Sequence, residues 1–427
     1  MSDIKKAFVY IVEPNKIMLF SIVSSFVGYS YLGREESSTY VYIMAGMFLL
    51  SFMFYVRELI KHPTVSRNAF CFTAIWIIWL TANLVLFVTN NGWDYSFTKY
   101  FVFFFVFSLN SLLWGMMFGR EYAINLPMMI KYFEPLTLSV AVFSVLYVLL
   151  PSSSLLPTIR GAAYQSNSYY AAFAFGLILF YLISGNRHDR FKVFTLPIFK
   201  VLYVIFLVLL PLAVISTGGR GGFVLVLVYG IIAIYYLFFS DHSVNPKKII
   251  MTFGALLGFV MLIVILVSAV SGSSNLRNSF SLTISYLDFS TGRIDMTATS
   301  NRDIVYSQAL GLIKQKPLMG HGIFNSMPKL TTTYSYPHQI FLEFLLQGGV
   351  VYASIASVVL LYSFIKLRRL ERKDRSSFFM LFLYVYPFTM LMFSGTYLTT
   401  SLFWFCISAI LTARYNNEDV QGEESSN

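Results

Sequence analysis

Apolar residues in this 427-residue chain fall in long runs broken by short polar and charged stretches. A helix needs about 20 apolar residues to cross a bilayer's hydrocarbon core. The pattern predicts about twelve such helices, at roughly 17–32, 39–56, 69–90, 97–118, 133–150, 168–184, 194–215, 222–240, 249–270, 339–364, 377–394 and 397–413. The first run is short and draws on residues 7–12, which leaves eleven as the alternative count. This is the pattern of an all-α polytopic membrane protein.

One connection differs from the rest. Residues 271–338 form a long segment between expected helices nine and ten, and loops of that length are usually functional or disordered. Within it, "SNRDIVYSQALGLIKQKP" (300–317) reads as an amphipathic helix with Ile304, Val305, Ala309, Leu312 and Ile313 on one face. Ser300 and Asp303 supply an N-terminal capping signal and Pro317 a stop. The chain thus divides into helices one to nine over 1–270, the loop over 271–338, helices ten to twelve over 339–413, and an acidic, disordered tail over 414–427.

Composition agrees. The chain is 57% hydrophobic and 12% charged with mean hydropathy +0.67, far from a soluble domain. Charge fixes an orientation. Lys and Arg cluster at Lys5–Lys16, Arg57–Arg67, Arg120–Lys131, Arg187–Lys192, Lys247–Lys248 and Lys366–Arg375, with Arg414 beyond. The short connections on the other side hold only Arg34, Lys99, Arg160 and Arg220. The positive-inside rule then puts both termini in the cytoplasm and the long loop outside. A net charge of +11 spread over such loops points to membrane lipid head groups, not nucleic acid. Lys200, within the seventh helix, can snorkel to the inner face. The start is a poor signal peptide. Cys71 and Cys406 lie in apolar runs, and no metal-ligand spacing occurs.

Three candidates for chemistry share the expected outer side. "STGGRGG" (216–222) surrounds Arg220 with glycines, including Gly219 and Gly221. Glycines let backbone amides form an anion nest, and a guanidinium grips phosphate bidentately. A tight hairpin turn with one interfacial Arg is the alternative. Arg302 falls in the first turn of the loop helix, where the dipole favours anions. Pairing with Asp303 or Asp295 is its other reading, and Arg293 is a weaker candidate. Pro337 suits the first helical position, placing His338 at the N-terminal end of helix ten. The helix dipole there keeps the imidazole neutral and able to accept a hydroxyl proton. Capping is the alternative. Glu343 lies about 7.5 Å deeper by helix rise, on another face. A carboxylate inside a span is functional by default, but a Glu343–Gln347 hydrogen bond would make it structural. His321, in "GHG", reads as a turn residue, and His62, His188 and His242 as solvated ones.

Together "RGAAYQSNSYYAA" (160–172), "STGGRGG", "NRDIVYSQALGLIKQKPLMGHGIFN" (301–325) and "YPHQIFLEFLLQGGV" (336–350) resemble the O-antigen polymerase and O-antigen ligase superfamily of bacterial envelope glycosyltransferases. The family pattern maps onto Arg220, Arg302, Pro317 to Gly322, and His338 with Glu343, Gly348 and Gly349. Gln339 stands where the family commonly has Asn. The resemblance implies a GT-C-like helical fold in the inner membrane. It also implies transfer of a glycan from polyprenyl diphosphate on the periplasmic face, with no cofactor or metal. His338 would be the general base, and Arg220 and Arg302 the catalytic cations. Arg160, Gly219, Gly221, Arg293, Tyr336 and Glu343 would complete the diphosphate and substrate site. Partners would be polyprenyl-diphosphate-linked oligosaccharide repeat units and a chain-length regulator (a polysaccharide co-polymerase). "YPHQIFLEF" looks closer to polymerases than to ligases. A lipid-linked sugar flippase is the competing class, since many carriers also have twelve spans.

Overall fold

A computed structural model describes residues 104–149, 163–184, 190–217, 219–239, 287–288, 293–294, 302–323, 330 and 336–414, with helical positions scattered between 46 and 60. The expected helices at 17–32, 69–90 and 249–270, together with Arg160, Ser300 and the acidic tail, lie outside the described residues. So do Cys71, His62, His188 and His242.

The described elements are α1 (Asn110–Arg120, entered through a π-turn at Phe104–Leu109), α2 (Tyr122–Leu149), α3 (Ala163–Ser184), α4 (Pro197–Ser216) and α5 (Arg220–Phe239). There follow α6 (Arg302–Gln315), α7 (Ile340–Lys373), α8 (Phe378–Phe393) and α9 (Ser401–Thr412). Between α5 and α6 two-residue strands β1 (Leu287–Asp288) and β2 (Arg293–Ile294) pair antiparallel. Six described helices are long and apolar enough to cross a membrane, and α9 is a shorter apolar helix. The chain is an all-α polytopic integral membrane protein.

The core gathers around α3, whose Ala171, Ala172, Ala174, Leu177 and Ile178 are fully buried. Tyr181 of α3 donates to the Ile130 carbonyl of α2 (2.7 Å), and Phe173 and Phe180 pack on Tyr386 and Phe379 of α8. Tyr229 of α5 stacks on Phe382 at 5.3 Å and donates to its carbonyl (2.8 Å). Association in lipid relies on such packing and on small residues that let backbones approach. Gly115 and Gly119 of α1 do this against α9, where any Cβ would strike the Phe405 and Ala409 carbonyls.

These contacts fix sidedness. Residue 173 lies beside 386 and 180 beside 379, so α3 runs antiparallel to α8, as α5 does through Tyr229–Phe382 and Tyr236–Phe378. The starts of α3 and α5 therefore meet the end of α8. The turn after α8 touches the start of α7 through Thr396 and Glu343. Basic side chains gather at the opposite end. There Lys366 donates to the Leu411 carbonyl (2.7 Å) and Arg368 bonds Glu371 and Tyr235.

Three expectations are corrected. The segment between expected helices four and five is not a loop: only Glu121 separates α1 from α2, and Lys131 lies on α2. Arg190 is not a solvated loop charge. It is 9% exposed, pairs with the fully buried Glu134 of α2 (Nε to Oε2 3.1 Å), and lies over the Tyr181 and Tyr203 rings. Tyr203 donates to the same carboxylate at 2.5 Å. Helix ten is not continuous: Gly349 of α7 has φ 63° and ψ −165°, which splits it into two pieces.

The Glu134–Arg190 pair ties α2, α3 and α4 together. Removing one partner strands a buried charge, at a cost of about 3–5 kcal/mol. Glu134→Ala should lower thermal stability in detergent by that order. Glu134→Leu with Arg190→Met, which removes both charges, should recover most of the loss. A small effect of Glu134→Ala on the unfolding midpoint would contradict the assignment.

Candidate functional site

Helix α7 begins three residues later than its proline suggests. Pro337 lies before the helix, and Gln339 is the N-cap, its side chain accepting from the Leu342 amide at 2.5 Å. This gives Gln339 a role that its departure from the family's Asn left open: it supplies the acceptor that an orphan first-turn amide needs. His338 sits just outside with φ +55°. That left-handed region is sparsely populated by residues with a Cβ, and strain of this kind concentrates at functional sites. The Tyr336 ring lies 4.4 Å from the imidazole, tilted by 53°.

His338 is half-buried, and its pKa is pushed down to about 4, first by burial and then by the Arg302 charge. Both effects favour the neutral imidazole. The cause differs from the expected helix dipole, because the helix starts beyond it. Arg302 is the first residue of α6 and half-buried. The two residues therefore face each other electrostatically although 36 positions separate them in sequence.

Helix α6 lies against the start of α7. Val305 and Ala309 are fully buried, and Ala309, Leu330 and Leu346 form a small core with Leu312, Ile313 and Leu342. The amphipathic face is the expected one except for Ile304, which is 48% exposed. Past Gln315 the chain turns through Pro317–Gly322 and enters the break in α7. The His321 and Gly322 amides donate to the Leu346 and Gln347 carbonyls (3.0 and 2.7 Å), and the Val350 and Val351 amides donate to the Pro317 and Leu318 carbonyls (2.8 and 3.3 Å). A Cβ on Gly320 (φ +62°) would lie 2.5 Å from the Gly348 and Gly349 nitrogens, and one on Gly349 2.6 Å from the Met319 nitrogen. His321 is a turn residue, as expected, with its ring Nε2 2.8 Å from the Leu312 carbonyl.

Glu343 is 1% exposed and accepts from Gln347 Nε2 (3.1 Å) and from the Thr396 hydroxyl. Gln347 Oε1 accepts from Tyr397 (2.5 Å), whose hydroxyl also meets that of Tyr352 (3.3 Å). This is the structural reading of Glu343. The buried chain joins the first piece of α7 to the turn between α8 and α9. Thr396 and Tyr397 were invisible to sequence reasoning because only the fold brings them to Glu343.

Arg220 is the first residue of α5 and half-buried, at the same end of the bundle as His338. Its glycines have a packing reason. The Gly219 carbonyl accepts from Ser168 (2.9 Å), and Cβ atoms at Gly219 or Gly221 would strike Ser168 or the Tyr169 hydroxyl of α3. Both residues lie in the "YQSNSYY" segment, where Asn167 also donates to the Ser144 carbonyl (3.4 Å). Arg293 lies on β2 opposite Asp288. Among the described residues no three His, Cys, Asp or Glu side chains form a metal-binding group.

Residues 205–353 match a family model described as O-antigen ligase. That match supports membership of the O-antigen polymerase/ligase superfamily. It runs from α4 through the break in α7 and takes in Arg220, Arg302, His338 and Glu343, while Arg160 precedes it. No curated protein and no solved structure matches the chain.

If Glu343 serves as a hydrogen-bond hub, Glu343→Gln should keep near-normal stability, since the amide oxygen still accepts. Glu343→Ala leaves buried donors unpaired and should cost about 1–3 kcal/mol in detergent unfolding. Equal losses in the two variants would show that the negative charge itself matters.

Proposed function

We propose that this superfamily member is a glycosyltransferase of the bacterial inner membrane. It moves a growing glycan from polyprenyl diphosphate to the non-reducing end of another lipid-linked repeat unit, at the periplasmic face. The observation that carries the reading is the half-buried His338 in the field of Arg302, at the end of the bundle where Arg220 begins α5.

The acceptor hydroxyl gives its proton to the imidazole as its oxygen bonds to the donor's anomeric carbon. The bond from that carbon to the diphosphate oxygen breaks, and its electron pair leaves with polyprenyl diphosphate. Charge on the leaving group is met by Arg220 and Arg302, held in place before the reaction begins. Arg302 gives His338 a second property. Its field makes the imidazole a weaker base, and a bound diphosphate offsets that field and raises proton affinity. Donor binding therefore strengthens the base.

Ligation to lipid A–core is the second reading, favoured by the description of the matched family. The polymerase reading rests on "YPHQIFLEF". Purified protein given only polyprenyl-diphosphate-linked repeat units should yield a ladder of longer glycans. No ladder until lipid A–core is added would mean ligase, and a change of leaflet without longer glycans would mean flippase. Arg220→Ala and Arg302→Ala should each slow transfer about 100-fold or more. His338→Ala should do the same while still inserting in the membrane. Normal transfer by His338→Ala would remove the base assignment.

The pH dependence has a definite sign. A depressed histidine pKa keeps the base active until pH falls to about 4 in the free protein. The acid limb of kcat/KM for the donor should lie there, whereas that of kcat, which reports the donor-bound state, should lie higher. Coincident limbs near pH 6.5 would contradict the proposed environment of His338.

A further inference from the structure

A broken helix in a membrane protein often marks an ion or substrate site, because its free backbone ends coordinate the ligand. Here two carbonyls before the break and two amides after it are taken by the chain's own Pro317–Gly322 turn. The segment that fills the break is the direct continuation of α6, whose first residue is Arg302. The helix it fills is the one His338 precedes.

We propose that this backbone clasp is a positioning device that sets Arg302 against His338, with Gly320 and Gly349 as its positioning residues. The proposal rests on the reading of Arg302 and His338 given above. The route from the clasp to Arg302 is rigid. Helix α6 is one continuous piece, its Ala309, Leu312 and Ile313 pack on Leu342 and Leu346, and His321 Nε2 donates to the Leu312 carbonyl. Four hydrogen bonds in register leave the turn no freedom to slide. The paired glycines leave no room for a side chain between the two backbones. Glu343 and Gln347 hold the same piece of α7 from its other side, through Thr396 and Tyr397. His338 is thus fixed relative to α8–α9, and Arg302 is brought to it through the clasp.

The test uses full-length protein in detergent with Gly320→Ala and Gly349→Ala. Gly311→Ala and Gly230→Ala serve as controls, because a Cβ there meets nothing within 4 Å. The clasp variants should lose about 100-fold in kcat with little change in donor KM, the scale expected of an ångström-sized misplacement. Their kcat/KM acid limb should rise from about 4 toward 6.5 as His338 loses burial and the Arg302 field. Spin labels at Lys314 and Ile355, in a background lacking Cys71 and Cys406, should give a narrow distance distribution in the parent and controls and a broad one in the clasp variants. Folded clasp variants with parental kcat, acid limb and distance distribution would overturn the proposal. Should His338→Ala itself transfer normally, the functional reading fails instead, and the distance distributions alone decide the clasp. Where the alanine variants do not fold, His321→Ala replaces them. It should lose about fivefold in kcat for one hydrogen bond, raise the acid limb, and be restored by His321→Gln. A folded His321→Ala with parental values would also overturn the proposal.

Discussion

A helix that breaks inside a membrane protein exposes carbonyls before the break and amides after it, and lipid offers a partner to neither. Each buried group left unpaired costs about 1–3 kcal/mol. The break in α7 exists only because Pro317–Gly322 supplies two carbonyls and two amides in register with it. Much of the site follows from that constraint. The turn must enter the break, so α6 must end beside it. With α6 packed along the start of α7, its first residue comes to His338. Glycine is forced at 320 and 349 because backbone meets backbone there. The motif Pro-Leu-x-Gly-x-Gly and the Gly-Gly pair are two halves of one joint.

The electrostatics follow from the placement. A histidine in the field of an arginine is by itself a poor base. In the proposed reaction a diphosphate donor changes that, because its negative charge offsets the cation's field. Burial and Arg302 act in the same direction on His338, and only the Arg302 contribution can be offset by a ligand. Under the proposed reaction, the design couples proton acceptance to the presence of the leaving group. It disfavours protonation of the base before there is a bond to break.

The sequence shows some of this directly and conceals the rest for identifiable reasons. Helices α3, α4, α5, α8 and α9 stand close to their apolar runs, because length and hydropathy alone decide them in lipid. The amphipathic face of α6 is legible from its period, apart from Ile304, which the fold leaves exposed in the first turn. Hydropathy could not show that Glu121 alone separates α1 from α2, since polar residues inside a helix and in a loop look alike in a window average. Arg190 counts as a loop charge until its partner Glu134, 56 positions away, is brought to it. Pro337 suggests a helix start, but Gln339 provides the cap acceptor and so takes the N-cap position. The break at Gly349 reads as an uninterrupted span because its partner turn lies outside the run.

Glu343 shows how position can mislead about role. A carboxylate inside a membrane span is expected to be functional by default. The hydrogen bonds of Glu343 run instead to Gln347 and Thr396, and through Gln347 to Tyr397 and Tyr352. That chain ties the first piece of α7 to the turn between α8 and α9. The clasp ties the same piece to α6. A piece of helix from 340 to 348 is too short to hold its own orientation by helix formation alone. Held from both sides, it presents His338 at a fixed place in a left-handed conformation that an untethered chain would leave. The buried carboxylate and the backbone clasp are therefore two supports for one side chain.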